Sequence, residues 1–248
     1  MHPQHEVAAA LRLVAQGLND SQISRATGIN RRTVNTWRAG RIPRLRPQRG
    51  RRSACPRCDG SPLDEPPYAY LLGLYLGDGH IVQNARTFSL RISQDARYFH
   101  LVTLAIKAIE RVRSVQGKVG VVERPGVLVV QGYWQHWPCL FPQHGPGRKH
   151  HRPIVLEDWQ VRLVGRYPRQ LIRGLIHSDG CRALNRVRDG RYEYPRYFFT
   201  NSSEDILRIF KDACDAAEVA YRMSKPNTVS IARRPSVAKL DSFVGPKA

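Results

Sequence analysis

Apolar residues recur at spacings of three and four over residues 5–39, and turn-forming residues separate the runs, so the pattern predicts three short helices. One residue of the run Asn19-Asp20-Ser21 is expected to cap a second helix over about residues 21–26. Gly28 in the following turn permits a left-handed backbone, and Asn30 is placed to cap the third helix. The apolar residues expected between the helices are Ile23, Ile29, Val34 and Trp37. This spacing is typical of a helix-turn-helix.

From residue 67 the chain repeats one pattern twice: an apolar helix that ends in Asp-Gly, a strand pair, a long helix and a second strand pair. Apolar residues at helical spacing mark the first long helix over 96–113. The strand over 87–93 alternates apolar and polar residues, as expected for a sheet with one buried face and one wet face. The predicted segments are a first half at 67–133, a connection at 134–166 and a second half at 167–248.

The two apolar helices share a motif, LLGLYLGDG at 71–79 and IRGLIHSDG at 172–180. Small residues stand one helical turn apart in each copy, so each helix has a face without bulk and the two helices can pack closely. These small residues are Gly73, Gly77, Gly174 and Ser178. The sequence therefore predicts an α+β fold. A duplicated, pseudo-two-fold αββαββα core with two antiparallel sheets follows a three-helix helix-turn-helix domain at 1–40.

The net charge of the chain indicates what kind of molecule it binds. Lysine and arginine outnumber aspartate and glutamate 40 to 20, a net charge of +20, while 42% of residues are hydrophobic, enough for a core. Such a charge attracts polyanions. Because no apolar run approaches the roughly 18 to 20 residues of a spanning helix, nucleic acid is favoured over a membrane. The scattered cysteines and the absence of a secretory signal lead us to expect a cytoplasmic, nucleoid-associated protein.

Residues 41–66 form an arginine-rich linker that cannot build a core alone. Part of it could lie in a minor groove as an arm, or it could be a solvated tether that only attracts phosphate. The arm residues are Arg49, Arg51 and Arg52.

Cys55 and Cys58 have the spacing of a zinc knuckle, but a structural zinc site needs four ligands. No second CxxC or HxxxH lies nearby, so structural Zn²⁺ at Cys55 and Cys58 is disfavoured against two unligated thiols in a loop. The connection contains histidines without a ligand spacing, and we expect a packed loop that flanks DNA. These histidines are His136, His144, His150 and His151, and the residues expected to touch phosphate are Arg148 and Lys149.

Asp78 and Asp179 are expected at the C-terminal ends of the packed helices, capped by Gly79 and Gly180. That arrangement brings two carboxylates together at the negative ends of two helix dipoles, where they repel unless a cation lies between them or one keeps its proton. A bound Mg²⁺ or Mn²⁺ is the expected way to offset this repulsion, because both ions bind carboxylate and water oxygens. The pattern predicts metal-assisted phosphodiester hydrolysis.

The two segments resemble the dodecapeptide motifs of the LAGLIDADG homing endonucleases, in the single-chain form with two motifs, over residues 67–244. The resemblance implies a saddle of two four-stranded sheets on double-stranded DNA and cleavage of both strands. It also implies metal binding by Asp78 and Asp179, together with the preceding Gly77 and Ser178. The family's usual acid at position six is replaced by Leu76 in the first motif and by His177 in the second.

A basic residue near the scissile phosphate is usual in the family, and Lys118 and Lys225 are the equivalent candidates, the alternative being two solvated cations. Polar residues at alternating strand positions, and the exposed side of the third helix, are expected to face DNA. The strand residues are Ser89, Arg91, Ser93, Arg182, Arg186, Arg188, Thr228 and Ser230. The helix residues are Arg31, Arg32, Thr33, Asn35 and Arg38. A surface role without DNA contact is the alternative for each.

The leading hypothesis is a site-specific DNA endonuclease, because a pure scaffold has no evident need for two repelling carboxylates. The alternatives are a non-cleaving transcriptional regulator that uses the fold as a scaffold, and an RNA-directed role in intron splicing. No small-molecule substrate is implied. One chain that carries both halves predicts a monomer.

Overall fold

The chain divides into two units, Met1–Arg51 and Arg52–Ala248. The computed structural model describes residues 4–41, 54–113, 117–187 and 192–245. Four residues predicted to contact DNA, Arg49, Arg51, Arg52 and Arg188, therefore lie outside the described residues.

The smaller unit consists of α1 (Gln4–Ala15), α2 (Asp20–Thr27) and α3 (Arg31–Arg38). Asn19 and Gln22 form a capping box at the start of α2, and Gly28 ends that helix at a left-handed φ of 71°. The Asn30 side chain accepts a hydrogen bond from the Arg32 amide at the start of α3. The core contains Val7, Ala10, Ile23, Ile29, Val34 and Trp37. The predicted helix-turn-helix is confirmed.

The larger unit contains two copies of one arrangement. The first copy comprises α4 (Glu65–Leu76), β1 (Gly79–Gln83), β2 (Phe88–Asp95), α5 (Phe99–Val112), β3 (Gly120–Arg124) and β4 (Val127–Tyr133). The connection holds α6 (Trp137–Leu140), a 3-10 turn (Lys149–His151) and α7 (Asp158–Arg166). The second copy comprises α8 (Pro168–Asp179), β5 (Gly180–Val187), β6 (Tyr192–Thr200), α9 (Glu204–Ala216), β7 (Arg222–Lys225), β8 (Thr228–Ile231) and α10 (Arg234–Asp241).

Each copy forms an antiparallel four-stranded sheet, with strand order β1-β2-β4-β3 in the first and β5-β6-β8-β7 in the second. The registers match as well: the glycine that ends each motif starts a strand, and Gly79 pairs with Ile92 as Gly180 pairs with Phe199. The predicted α+β fold with a duplicated core is confirmed.

Helices α4 and α8 lie at the centre of this unit. Each packs on the long helix of its own half, α5 or α9, and on the other motif helix. Residues 68–76 of α4 are buried throughout. A helix that is apolar on every side fits a position surrounded by protein.

The connection between the halves is part of the core. Trp137, Leu140 and Phe141 are fully buried. The Tyr68 hydroxyl of α4 donates to the Leu140 carbonyl at 2.6 Å and accepts from Gln160 Nε2 of α7 at 2.7 Å. The connection thus holds α4 in place through its contacts with Tyr68. It includes a helix, α7, that the sequence pattern did not predict.

Candidate active site at the ends of the two motif helices

The two motif helices cross at their glycines. A Cβ added to Gly73 would lie 2.6 Å from the Leu171 carbonyl oxygen and 2.8 Å from Gly174 Cα, and one added to Gly174 would overlap the Tyr70 carbonyl oxygen. All of these neighbours are backbone atoms, so no side-chain rotation could make room. Close packing of the two helices, as predicted from the small residues, is present.

Asp78 and Asp179 lie at the C-terminal ends of these helices, where each lines an open cleft. Asp78 faces a cleft of about 670 Å³ that also includes Gln94 and Ser178. Asp179 faces a cleft of about 410 Å³ that also includes Lys149 and Asn201. Each cleft is built from residues of both halves, and a metal site shared by the two carboxylates stays a prediction.

A carboxamide accompanies each aspartate. Asn201 Nδ2 donates to Asp179 Oδ2 at 2.6 Å. Gln94, which is 3% exposed, lines the cleft of Asp78, and its Nε2 has no hydrogen-bond partner among the described residues. The two carboxamides are equivalent because each stands two residues beyond the strand residue that pairs with the motif glycine. Sequence reasoning missed both, since this equivalence needs the strand register.

Lys149 enters the same region from the 3-10 turn of the connection. Its Nζ donates to the carbonyl oxygens at the end of α4: to Tyr75, to Leu76 at 3.0 Å and to Gly77 at 2.7 Å. Burial lowers the pKa of Lys149 to about 8, and the negative charges of Asp179 and Asp78 oppose that shift. Lys149 thus caps α4 beside both aspartates, and its contact with phosphate stays a prediction.

The position-six residues have structural contacts. Leu76 is fully buried in the core. His177 is 2% exposed, its Nδ1 lies 2.9 Å from the Tyr70 hydroxyl, and its Nε2 lies 2.8 Å from the Val244 carbonyl oxygen. Because a carbonyl can only accept, Nε2 carries the proton and Nδ1 accepts from Tyr70. His177 therefore ties α8 to α4.

Two further residues of the predicted metal set are already engaged. The Gly77 carbonyl accepts from Lys149, as above, and the Ser178 hydroxyl donates to the Gly174 and Leu175 carbonyls of its own helix, at 3.2 and 2.9 Å. Lys118 precedes β3 and Lys225 ends β7, and both are exposed, as is Arg148. Their contact with phosphate stays a prediction.

Three polar strand residues that were expected on the wet face are buried. Ser89 and Ser230 are fully buried, and Thr228 is 8% exposed. The expectation of an open surface at these three positions is wrong because side chains of the two neighbouring strands flank these short residues. Ser230 lies between Phe198 and Arg222 on the neighbouring strands, and Ser89 lies between Val82 and Tyr133, so longer side chains flank each serine.

The other strand residues differ in accessibility. Arg91 and Ser93 on β2 are half-buried, while Arg182 and Arg186 on β5 are exposed. Both β5 arginines have protein partners: Arg182 Nε lies 2.8 Å from Asp241 Oδ1, and Arg186 Nε lies 2.7 Å from Glu193 Oε1. An ion pair on the surface contributes little stability, so these arginines can exchange partners with a phosphate at small cost.

The third helix of the smaller unit exposes Arg31 and Arg32, and Thr33 is half-buried. Asn35 Nδ2 donates to Asp20 Oδ2 at 2.9 Å, and Arg38 Nε donates to Asp20 Oδ1 at 2.7 Å. These two hydrogen bonds hold the pKa of Asp20 below its usual value, and the bond from Asn35 has the larger effect. Asn35 and Arg38 therefore hold α3 against α2, and Arg31 and Arg32 are the more accessible side chains.

Comparisons with known proteins agree with this description. Residues 6–45 match the family model of a homeodomain-like domain. A search of curated proteins found no match. The described helices include none that is long and apolar enough to cross a membrane.

Similar solved structures include the homing endonuclease I-DmoI in complex with DNA and Mn, at 15% sequence identity, with a TM-score of 0.48 over 73% of this chain and 98% of that one. They also include the N-terminal LAGLIDADG domain of DUF199/WhiA, at 12% identity, with a TM-score of 0.44 over 73% of this chain and 82% of that one. Full-length DUF199/WhiA from Thermatoga maritima is similar at 12% identity and a TM-score of 0.44, over 73% of this chain and 55% of that one. The chain is thus similar to homeodomain-like domains at its N-terminus and, over most of its length, to a homing endonuclease and a LAGLIDADG domain, the family that its two motifs resemble.

Proposed function

We propose that this protein is a divalent-metal-dependent endonuclease that hydrolyses phosphodiester bonds of double-stranded DNA. The observation that carries the proposal is the paired placement of Asp78 and Asp179. Each lies at the C-terminal end of one of two crossing helices, lines an open cleft and has a carboxamide, Gln94 or Asn201, two residues beyond the strand residue that pairs with the motif glycine. Two matched acidic sites, one from each half of a duplicated core, fit a substrate with two antiparallel strands.

The rest of the molecule fits a DNA substrate. The net charge of +20 supplies attraction for phosphate, and the helix-turn-helix exposes Arg31 and Arg32 on its third helix. I-DmoI, one of the similar structures, was solved in complex with DNA and Mn and in complex with DNA and Ca. We propose that the two sheets of this chain hold double-stranded DNA while the smaller unit adds contacts to it.

The donor chemistry of the clefts fits a hard divalent cation. Carboxylate oxygens of Asp78 and Asp179, with water, are the ligands that Mg²⁺ and Mn²⁺ prefer. Held by Asp78 and Asp179, such an ion would supply Lewis-acid polarisation of a phosphoryl oxygen and would lower the pKa of water. Asn201 orients the Asp179 carboxylate through its 2.6 Å hydrogen bond, and Gln94 presents a buried amide to the other cleft. Lys149 supplies a positive charge beside both carboxylates.

Cleavage of defined DNA tests the proposal. The full chain is incubated with genomic DNA of its own source and Mg²⁺ or Mn²⁺, and the ends are mapped by sequencing. We expect defined double-strand cuts that Asp78→Asn and Asp179→Asn each abolish, because each removes one anionic ligand. Asp212→Asn, at an exposed position of α9, is the matched control and should cut normally. Equal cutting by all variants would refute the assignment.

A non-cleaving DNA-binding regulator is the second candidate, and Lys149 favours it. The Lys149 ammonium already places a cation at the end of α4 beside both aspartates, so the two carboxylates do not require a metal to coexist. Specific binding in EDTA, with DNA that stays intact after Mg²⁺ or Mn²⁺ is added, would support the regulator and exclude the nuclease.

A further inference from the structure

Three cysteines and a histidine from two distant segments meet in the larger unit. Cys55 and Cys58 come from the segment that precedes α4, and His136 and Cys139 come from the connection after β4. One ligand atom from each lies within 4.8 Å of all the others. The second pair, His-x2-Cys, stands about 80 positions after the CxxC, so the sequence spacing does not identify it as the partner, and only folding brings the two segments together.

The distances between ligand atoms fit a tetrahedral zinc ion. Zinc binds thiolate sulfur at about 2.3 Å and imidazole nitrogen at about 2.0–2.1 Å, so a tetrahedron separates two sulfurs by about 3.8 Å and sulfur from nitrogen by about 3.6 Å. Cys58 Sγ lies 3.6 Å from Cys139 Sγ, and the two sulfurs lie 3.4 and 3.7 Å from His136 Nδ1. These three interatomic distances are therefore close to those expected for ligands of a tetrahedral zinc ion.

The backbone around the first cysteine pair has the form of a metal-binding turn. The amides of Cys58 and Asp59 both donate to the Cys55 carbonyl at 3.1 Å, and Gly60 follows at a left-handed φ of 70°. These backbone hydrogen bonds close the turn and hold the two cysteines in place, and contacts of this kind outside the ligand shell fix the orientation of metal ligands.

We propose that Cys55, Cys58, His136 and Cys139 form a structural zinc site of the Cys₃His class. Zn²⁺ forms bonds to three sulfurs and to His136 Nδ1, three thiol protons leave to solvent, and His136 keeps its proton on Nε2. Four protein ligands leave no open position, so the ion is structural and has no part in hydrolysis. The site is independent of Asp78 and Asp179 and of the function proposed above.

The site joins the start of the larger unit to the segment that supports α4. His136 and Cys139 flank Trp137, which is fully buried, and Leu140 follows with the carbonyl that accepts from Tyr68 of α4. Fixing Cys55 and Cys58 to this segment therefore restrains the C-terminal part of the arginine-rich linker. The expected consequence of metal loss is loosening of residues 54–64 and of the connection.

Metal content of the full chain, purified under reducing conditions without chelator, tests the proposal. We expect one zinc per chain by elemental mass spectrometry, released by a thiol-modifying reagent. Cys58→Ser, at the exposed ligand, and Cys139→Ser should each lose most of this zinc. Cys181→Ser removes an exposed cysteine outside the cluster and should keep it. Asp78→Asn/Asp179→Asn should also keep it, which separates this site from the candidate active site.

Cobalt substitution keeps the test decisive if a variant fails to fold. Wild-type protein stripped of metal and titrated with Co²⁺ should show the visible absorption of a tetrahedral ion with sulfur-to-cobalt charge transfer, saturating at one equivalent. Reduced wild-type protein that holds no zinc and gives no such spectrum would overturn the proposal. A Cys58–Cys139 disulfide that persists in reductant would also overturn it, because it removes two ligands.

Discussion

Lys149 joins the helix end to the two aspartates, so its substitution should affect stability as well as chemistry. Lys149→Met keeps the length of the side chain but leaves three carbonyls of α4 without their donor. We expect a loss of about 2 kcal/mol in the free energy of unfolding at neutral pH, the usual cost of removing a charged hydrogen-bonding partner from a partly buried site. Chemical denaturation of both proteins measures it, and Lys118→Met, at an exposed lysine, is the control.

The depressed pKa of Lys149 adds a pH dependence with a defined sign. Its folded-state pKa of about 8 lies below the unfolded value of about 10.4, so between these pH values the unfolded chain binds more protons than the folded one. The contribution of Lys149 to stability is therefore lowest below about pH 8 and rises towards about pH 10.4. The stability difference between wild type and Lys149→Met should grow over this window. A constant difference would contradict the shift.

Residues that act locally could be predicted from sequence, and those that act across the fold could not. Asn19, Gly28 and Asn30 cap helices through contacts within four residues; Gly28 and Asn30 were identified, and Asn19 lies in the run 19–21 that was expected to hold a cap. Lys149 contacts a carbonyl more than seventy positions away, and His136 lies near Cys58 over a similar separation. Neither contact can be predicted from the spacing of residues along the sequence, because both depend on where the connection packs.

At the scale of elements, the crossing of α4 and α8 is the feature that fixes the positions of both aspartates. Gly174→Ala should therefore be severe. Its Cβ would overlap the Tyr70 carbonyl oxygen, so the helices must separate. We expect the free energy of unfolding to fall by about 3 kcal/mol, the upper end of the usual cost of overpacking. Thermal or chemical unfolding measures the loss, and cleavage should fall further than stability predicts, because the carboxylates move apart.

Gly165→Ala supplies the matched control for that substitution. Gly165 also lies within a helix, α7, but a Cβ there meets nothing within 4 Å. Because alanine is the better helix former, the variant should gain about 0.5–1 kcal/mol. If Gly174→Ala were as stable as Gly165→Ala, the close crossing would not exist in solution.

The sequence predicted most elements of the duplicated core, because their hydrophobic periodicity follows from one buried face. Strand position within the sheet was not predictable in the same way. The alternation on β2 and β8 correctly indicated strands, yet it cannot show that they are inner strands, where Ser89 and Ser230 become covered. Helix α7 was missed because its apolar residues do not mark its buried face: Val161 is exposed, while Gln160 is fully buried.

At the scale of the whole molecule, the excess of positive charge is spread over both units and the linker. Arginines at 12, 25, 31, 32 and 38 lie in the smaller unit, and further arginines fill 41–52. Lysines such as Lys118 and Lys225, and the β5 arginines, belong to the larger unit. If both units contact the same DNA, their phosphate contacts should add, and the salt dependence of binding should record the total.

Deletion of residues 1–52 tests whether the smaller unit and the linker contact the same DNA as the larger unit. The truncated chain begins at Ser53, so it keeps the four proposed zinc ligands and every helix and strand of the larger unit. We expect weaker binding to double-stranded DNA and a shallower slope of log affinity against log salt, because the slope falls by about 0.9 for each phosphate that the protein no longer neutralises. Arg31→Ala/Arg32→Ala in the full chain should give a smaller reduction of the same kind, whereas Arg25→Ala, at an exposed position of α2, should give little. An unchanged slope after the deletion would show that the smaller unit and the linker do not lie on the DNA.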